Sequence, residues 1–405
     1  MGMDEEVREL IKREEKRQEE TITLIPSENY ASKAVRGAMS SMLNNKYSEG
    51  YPGKRYYQGN RIIDQIELIA IDRAKELFKV PHANVQPYSG SPANAAVLLA
   101  LVTPGETIMG MKLSAGGHLT HGHPEVTFSG KFYSSVQYDV DENGLIDYEG
   151  MIALAKKEKP KLIVAGTTAY SRALDWKKFR QAADEAGAYL LADISHIAGL
   201  VVAGVHESPV EYADIVMTTT HKTLRGPRGA ILMVTDRGRD RYRELETKIN
   251  KAVFPGIQGG PHEATVAAMA VAFGEALKPE YKSYIKQVVK NARVLAEKLV
   301  SKGFNVCTGG TDNHLMVVDL RNKGLAGKEA AEALEEAGII VNANAVPHDP
   351  NPPGRPSGIR LGTPAVTTRG MKEPEMELIA GLIKEVLEGR KVGVKELCRK
   401  FPVDR

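Results

Sequence analysis

Four short apolar runs between residues 160 and 234, KLIVAG, YLLAD, DIVMTT and AILMV, constrain the fold more than anything else in the chain. Runs this short and this apolar read as strands buried in a sheet that helices cover. Trp176 to Ala186, between the first two, carries a helical period, so the segment alternates as a doubly wound α/β sheet does. Ligands of such sheets bind beyond the carboxyl ends of the strands, and Thr168, Asp193, His196 and Lys222 all fall there.

The chain is long enough to add a second domain. With 405 residues, 42% of them apolar, it exceeds the usual size of one domain. Asp4 to Glu19 reads as a charged helix with a narrow stripe of Val7, Leu10 and Ile11. We assign 1–45 to an amino-terminal helical arm, 46–278 to a large domain built on the sheet, and 279–405 to a small carboxy-terminal α+β domain. The 54 basic and 51 acidic residues nearly cancel, which argues against a nucleic-acid or anionic-membrane partner. Cys307 and Cys398 form no disulfide framework and stand in no metal-ligand spacing. The charged start lacks the apolar core of a secretion signal, and no apolar run reaches membrane length, so a cytoplasmic protein without a metal is expected.

Several polar residues point to chemistry. Lys222 stands between two strand-like runs, where lost hydration favours the neutral amine, a nucleophile that forms a Schiff base with a carbonyl carbon. A solvated hairpin lysine is the competing reading. Ser89, Gly90 and Ser91 precede Pro92 and an alanine-rich helix, which suits either phosphate at a helix amino terminus or an ordinary serine cap; the glycine favours phosphate. Pro92 is expected at the first helical position. His118, beside Gly116 and Gly117, suits stacking on a planar ring. Asp193 ends a buried run and needs a cationic or hydrogen-bonding partner. Glu49 sits among four tyrosines in NNKYSEGYPGKRYYQGN, a loop with no helical or strand period, as a candidate acid or base. Arg360, in the short strand SGIRLGT, suits a carboxylate. A lysine for an aldehyde, an acid for a pyridine nitrogen and a phosphate cradle together describe a pyridoxal phosphate site.

Nine motifs carry a family resemblance: SENY at 27, KYSEGYPGKRYY at 46, YSGSPAN at 88, GGHLTHG at 116, DISHIAGL at 193, TTTHKTLRGPRG at 218, FPGIQGGP at 254, GGTDNHL at 309 and SGIRLGTPA at 357. In this order, nearly end to end, the chain resembles the serine hydroxymethyltransferases. The resemblance implies a fold-type I pyridoxal phosphate enzyme, aspartate aminotransferase-like, with a large mixed, mostly parallel seven-stranded sheet and a smaller α+β domain. It implies transfer of the serine hydroxymethyl carbon to tetrahydrofolate, giving glycine; a folate-independent aldolase of β-hydroxy amino acids is the alternative.

The same resemblance implies roles. Lys222 holds the cofactor aldehyde, Asp193 pairs with the ring nitrogen and His118 stacks on the ring. His196 and Thr168 border the phenolic oxygen, and Thr219 and His221 arrange the lysine and its protons. Ser89, Gly90 and Ser91 bind the phosphate, while Tyr47, Gly259 and Gly260 reach the phosphate of a partner in a homodimer, with assembly into a tetramer left open. Arg360, Ser27 and Tyr57 hold the substrate carboxylate. Glu49 faces the serine hydroxyl and the pterin, and Leu113, Gly117 and Asn344 lie near the folate. Thr168 stands where the family often has serine, and Ser195 where it often has alanine. Arg172 and Arg225 replace small residues, and Ala343 and Ala345 replace polar ones.

Overall fold

The computed structural model describes residues 4–124 and 126–403, in two compact units. One is residues 31–286; in the other the first thirty residues join 287–405. The sequence placed boundaries after residues 45 and 278. Residues 31–45 instead belong to the larger unit, and the second division falls inside the helix Pro279–Ser301.

Among the described residues the larger unit holds a seven-stranded sheet. Its strands are β1 (His82–Asn84), β2 (Thr107–Met111), β3 (Ser134–Tyr138), β4 (Leu162–Gly166), β5 (Tyr189–Asp193), β6 (Ile215–Thr219) and β7 (Ala230–Val234). They lie in the order β1-β7-β6-β5-β4-β2-β3. β7 is antiparallel to both neighbours and all other pairs are parallel, so β7 alone runs against the sheet. The mixed, mostly parallel sheet expected from the resemblance is therefore present.

Every residue of β4, β6 and β7 is buried, which explains why these strands read as continuous apolar runs. On one face the helix Gly90–Leu101 contributes Ala93, Ala96 and Val97 to an apolar cluster with Val164, Leu191 and Met217. The helix Trp176–Ala186 starts where the Asp175 carboxylate accepts the amides of Lys177 and Lys178 at 3.0 and 3.2 Å. It stops at Gly187, whose φ of 69° suits a residue without Cβ. Its Phe179 packs edge-on against Tyr138 and Tyr148. Register across β4, β5 and β6 aligns Gly166, Asp193 and Met217, so the carboxyl ends of three parallel strands finish on one edge. That edge is where the candidate residues cluster.

The smaller unit has an antiparallel sheet of β8 (Asn305–Val306), β9 (Leu315–Asp319), β10 (Asn342–Asn344) and β11 (Gly358–Gly362), ordered β8-β9-β11-β10. The chain start is fixed to it by Ile22–Thr23, which pairs in parallel with Ile339–Ile340. Arg369 fastens the same region. Its buried guanidinium donates to the carbonyls of Thr21 at 2.7 Å, Cys398 at 2.9 Å and Phe401 at 2.6 Å. The first helix, Glu5–Glu20, is capped by Asp4 and buries none of its residues.

Candidate active site

Asp193 is the last residue of β5, and four donors converge on it. Oδ1 accepts the amide of Ser195 at 3.1 Å and its hydroxyl at 2.6 Å. Oδ2 takes His121 Nε2 at 2.9 Å and Asn94 Nδ2 at 3.1 Å. Burial alone raises the proton affinity of a carboxyl group. Here the bonds from His121 and Ser195 and the charges of His121 and Lys222 outweigh it and hold Asp193 far below the usual carboxylate range. The group is a fixed buried anion. Sequence reasoning demanded a partner for Asp193 but named none of these donors. Asn94, an amide inside an apolar helix, was the visible signal.

Lys222 follows β6 by three residues, at the start of the turn that leads back to β7. The Lys222 carbonyl accepts the Arg225 amide at 3.1 Å, and Arg225 adopts φ 59°. The Gly226 amide then donates to the Thr220 carbonyl at 2.8 Å, and the Thr220 hydroxyl to the Pro227 carbonyl at 2.6 Å. This closed turn fixes the backbone of Lys222. Burial pushes the pKa of His221 down to about 3, aided by the charges of Lys222 and Arg228, so the imidazole is neutral at neutral pH. Among the described residues, Thr219 Oγ1 and His221 Nδ1 are buried without a protein partner.

His118 and Thr168 lie at the same strand ends. Thr168 donates its hydroxyl to the Gly117 carbonyl at 2.9 Å and its amide to the Gly116 carbonyl at 2.7 Å. His118 Nδ1 accepts the Thr120 amide at 3.1 Å and lies 2.7 Å from the Thr120 hydroxyl. Asn94 Nδ2 reaches that hydroxyl at 2.9 Å as well as Asp193, so His118 and Asp193 share one network. His196, also buried, accepts the Thr223 hydroxyl on its carbonyl at 3.0 Å. Gly117 is pressed so closely on the Met111 carbonyl that an added Cβ would lie 2.1 Å away. Leu113, which opens a short turn just before it, is part-exposed.

The helix Gly90–Leu101 begins at Gly90, which puts Pro92 at the third position rather than the first expected for it. Ser89 makes no side-chain cap bond, so the ordinary cap reading has no support. The Tyr88 amide donates to Gln258 at 3.2 Å and its hydroxyl to the Gly260 carbonyl at 2.6 Å, bringing 258–260 beside the helix start.

The tyrosine loop holds a small hairpin the sequence did not reveal, Gly50–Tyr51 against Lys54–Arg55. Of its four phenols, Tyr47 donates to Glu49 at 3.1 Å, whereas Tyr51 turns inward to the Asn250 carbonyl at 2.6 Å. Tyr57 stacks edge-on against Tyr47 at 5.0 Å. A Cβ on Gly259 would meet Glu49 at 3.2 Å, and one on Gly260 would meet Tyr47 at 3.4 Å. Tyr47, Glu49, Tyr57, Gly259 and Gly260 are thus neighbours in one chain.

Ser27, Asn344 and Arg360 belong to the smaller unit. Arg360 in β11 donates Nε to Asn342 at 3.0 Å, and burial lowers its pKa to about 10, leaving it charged at neutral pH. Gly362 of the same strand bonds the Leu24 carbonyl at 2.7 Å and packs on Pro26, which brings Ser27 to this sheet. Asn344, in β10, donates to the Ala345 carbonyl at 2.6 Å.

The larger unit's residues fit pyridoxal phosphate. A strand-end amine suits its aldehyde, a buried anion its ring nitrogen, and uncommitted helix amides its phosphate; the orphaned Thr219 and His221 atoms mark polar positions that the protein leaves open. An amine and a buried carboxylate at the strand ends of such a sheet define the fold-type I pyridoxal phosphate enzymes. Comparison with known proteins narrows the class. The family model for serine hydroxymethyltransferase matches residues 1–383. A serine hydroxymethyltransferase of Legionella pneumophila (strain Lens) is 55% identical over 412 residues, covering 99% of this chain and 97% of the relative. One from Acidothermus cellulolyticus is 55% identical over 415 residues, covering 98% and 95%, and one from Desulfotalea psychrophila 54% over 408, covering 98% and 94%. The chain belongs to the serine hydroxymethyltransferase family.

Proposed function

We propose that the chain transfers the hydroxymethyl carbon of serine to tetrahydrofolate, giving glycine and 5,10-methylenetetrahydrofolate, with the site assembled from the residues above. The observation that carries this reading is Asp193, held ionised by four donors at the strand end next to that of Lys222, in a chain 55% identical to serine hydroxymethyltransferases. When bound, pyridoxal phosphate supplies an aldehyde that ties the amino acid and a ring that accepts electrons as the bond from Cα to the hydroxymethyl carbon breaks.

The chain's own residues do the rest. Lys222 presents its amine to the cofactor aldehyde, and neutral His221 beside it, with Thr219, arranges that amine and its protons. Asp193 keeps a proton on the ring nitrogen, a preorganised charge of the kind that usually dominates catalysis. His118 covers the ring, and Thr168 and His196 flank its phenolic oxygen. The backbone and hydroxyls of Ser89, Gly90 and Ser91 bind phosphate. Arg360, with Ser27 and Tyr57, binds the carboxylate of serine, Glu49 moves the proton of its hydroxyl, and Leu113, Gly117 and Asn344 receive the folate.

Tyr47, Gly259 and Gly260 serve the phosphate of a second copy in a homodimer. Supporting the dimer is the exposed apolar and aromatic surface of the larger unit, with Met42 84%, Tyr56 73% and Ile62 64% exposed. The enzyme works in the cytoplasm; among the described residues no helix is long and apolar enough to cross a membrane.

Borohydride reduction of purified protein should leave a pyridoxyl group on the peptide bearing Lys222, and serine turnover should require tetrahydrofolate. An adduct on another lysine would overturn the site. Equal cleavage of serine with and without folate would make the protein an aldolase of β-hydroxy amino acids.

A further inference from the structure

The Ser195 hydroxyl is the shortest of the four contacts to Asp193, and it is shared. Oγ lies 2.6 Å from Asp193 Oδ1, accepts the Thr219 amide at 3.1 Å and stands 3.7 Å from Met217 Sδ. A hydroxyl has one hydrogen to give. A carboxylate oxygen at hydrogen-bond distance takes it in preference to a distant thioether. One of its two lone pairs accepts the Thr219 N–H, so Oγ is held both as donor and as acceptor and its orientation is fixed. Ser195 is 7% exposed, which leaves little water to substitute for it.

The bridge joins two parts of the candidate site that the strand ladder alone does not hold together. β5 and β6 are paired up to Asp193 and Met217, the Ile194 amide still bonds the Met217 carbonyl at 2.9 Å, and beyond that point β5 has ended while β6 runs on to Thr219 along β7. Ser195 joins the two there, with its hydrogen on the carboxylate and one lone pair on the amide three residues before Lys222. We propose that Ser195 is a positioning residue for pyridoxal phosphate. It withdraws proton affinity from Asp193 and holds the carboxylate in fixed register with the lysine segment. The inference rests on the reading above, in which Asp193 serves the ring nitrogen.

The role of the hydroxyl is separable from that of the Ser195 backbone, because the amide bond to Asp193 survives any side-chain change. Ser195→Ala removes the hydroxyl without adding volume, and Ser195→Thr keeps it. The affinity of the full chain for pyridoxal phosphate, titrated by fluorescence at pH 7.5 after the cofactor is stripped, is the first readout. The absorbance maximum of the bound cofactor is the second. Ser195→Ala should weaken binding about five- to tenfold and move the maximum, while Ser195→Thr stays within about twofold of the unchanged chain. Ser195→Ala binding within about twofold, with an unmoved maximum, overturns the proposal. So does an equal loss in both variants, which would report packing rather than the hydroxyl. Asp193→Asn separates this failure from failure of the underlying reading: if it binds the cofactor as tightly as the unchanged chain, Asp193 does not serve the ring at all.

Discussion

Asp193 and Glu263 are both buried carboxylates of the larger unit, 8% and 2% exposed, yet they stand on opposite sides of the usual range. Asp193 has four donors aimed at it, and it is held ionised, far below the usual carboxylate range. Glu263 accepts the Ser48 hydroxyl on Oε1, while Oε2 has no hydrogen-bond partner among the described residues. Burial, with the charges of Glu67 and Asp64, pushes its pKa up to about 7 against the pull of Ser48 and Arg55. Depth does not decide the charge of a buried acid; the donors aimed at it do. The region that carries the chemistry spends its polar groups on one anion. The region beneath the Tyr47–Glu49 loop divides one guanidinium, Arg55, among Asp64 at 2.9 Å, Glu67 at 2.6 Å and the carbonyls of Ser48 and Gly50.

The comparison breaks most readily at Asp193. Asp193→Asn keeps the shape and removes the charge, and turnover of serine should fall about a thousandfold, the upper end for loss of one preorganised electrostatic group. Steady-state kinetics with serine and tetrahydrofolate would measure it. A loss under tenfold would mean that the four donors stabilise a structural anion. Glu49 tests the other region. Glu49→Gln should reduce folate-dependent turnover about a hundredfold, as expected for a lost proton shuttle, while leaving the spectral response to glycine intact. Loss of both would place Glu49 in binding. The half-buried cation of the smaller unit, Arg360, sharpens the same lesson from the opposite sign. Arg360→Ala should raise the KM for serine about ten- to a hundredfold with kcat less affected, the worth of a charged two-pronged contact. An unchanged KM removes Arg360 from the substrate.

Much of this is legible in the amino-acid sequence, for identifiable reasons. β4, β5, β6 and β7 are announced by apolar runs because both of their faces are buried, and Lys222 and Asp193 by their position at strand ends. Two partners of Asp193, Asn94 and His121, were hidden because they come from a helix and a turn far away in the chain that only the fold brings together, whereas Ser195 lies two residues on in the same turn. The hairpin inside the tyrosine loop was hidden because two-residue strands leave no period to read. The amino-terminal segment was read as one arm because its helical charge pattern dominates. Its true division depends on Arg369 and on a two-residue pairing with Ile339–Ile340, neither of which has a local signature.

The smallest effect isolates Glu263. Its native pKa of about 7 lies above the value near 4.3 expected in an unfolded chain, so between these limits the native state holds a proton that the unfolded state has lost. Stability from this group is therefore greatest at low pH, falls as pH rises through the window, and stays reduced above neutrality. Glu263→Gln keeps an oxygen for the Ser48 hydroxyl and cannot ionise. Urea unfolding should show the stability of the variant rising relative to that of the unchanged chain by about 2 kcal/mol between pH 5 and pH 8. A difference that does not change with pH would show that Glu263 is already ionised at pH 5, and the contrast with Asp193 would vanish. If the gain at pH 8 appears together with altered folate-dependent turnover, the proton on Glu263 also bears on Glu49, because Ser48 precedes it in the chain and is bonded to both Glu263 and Arg55.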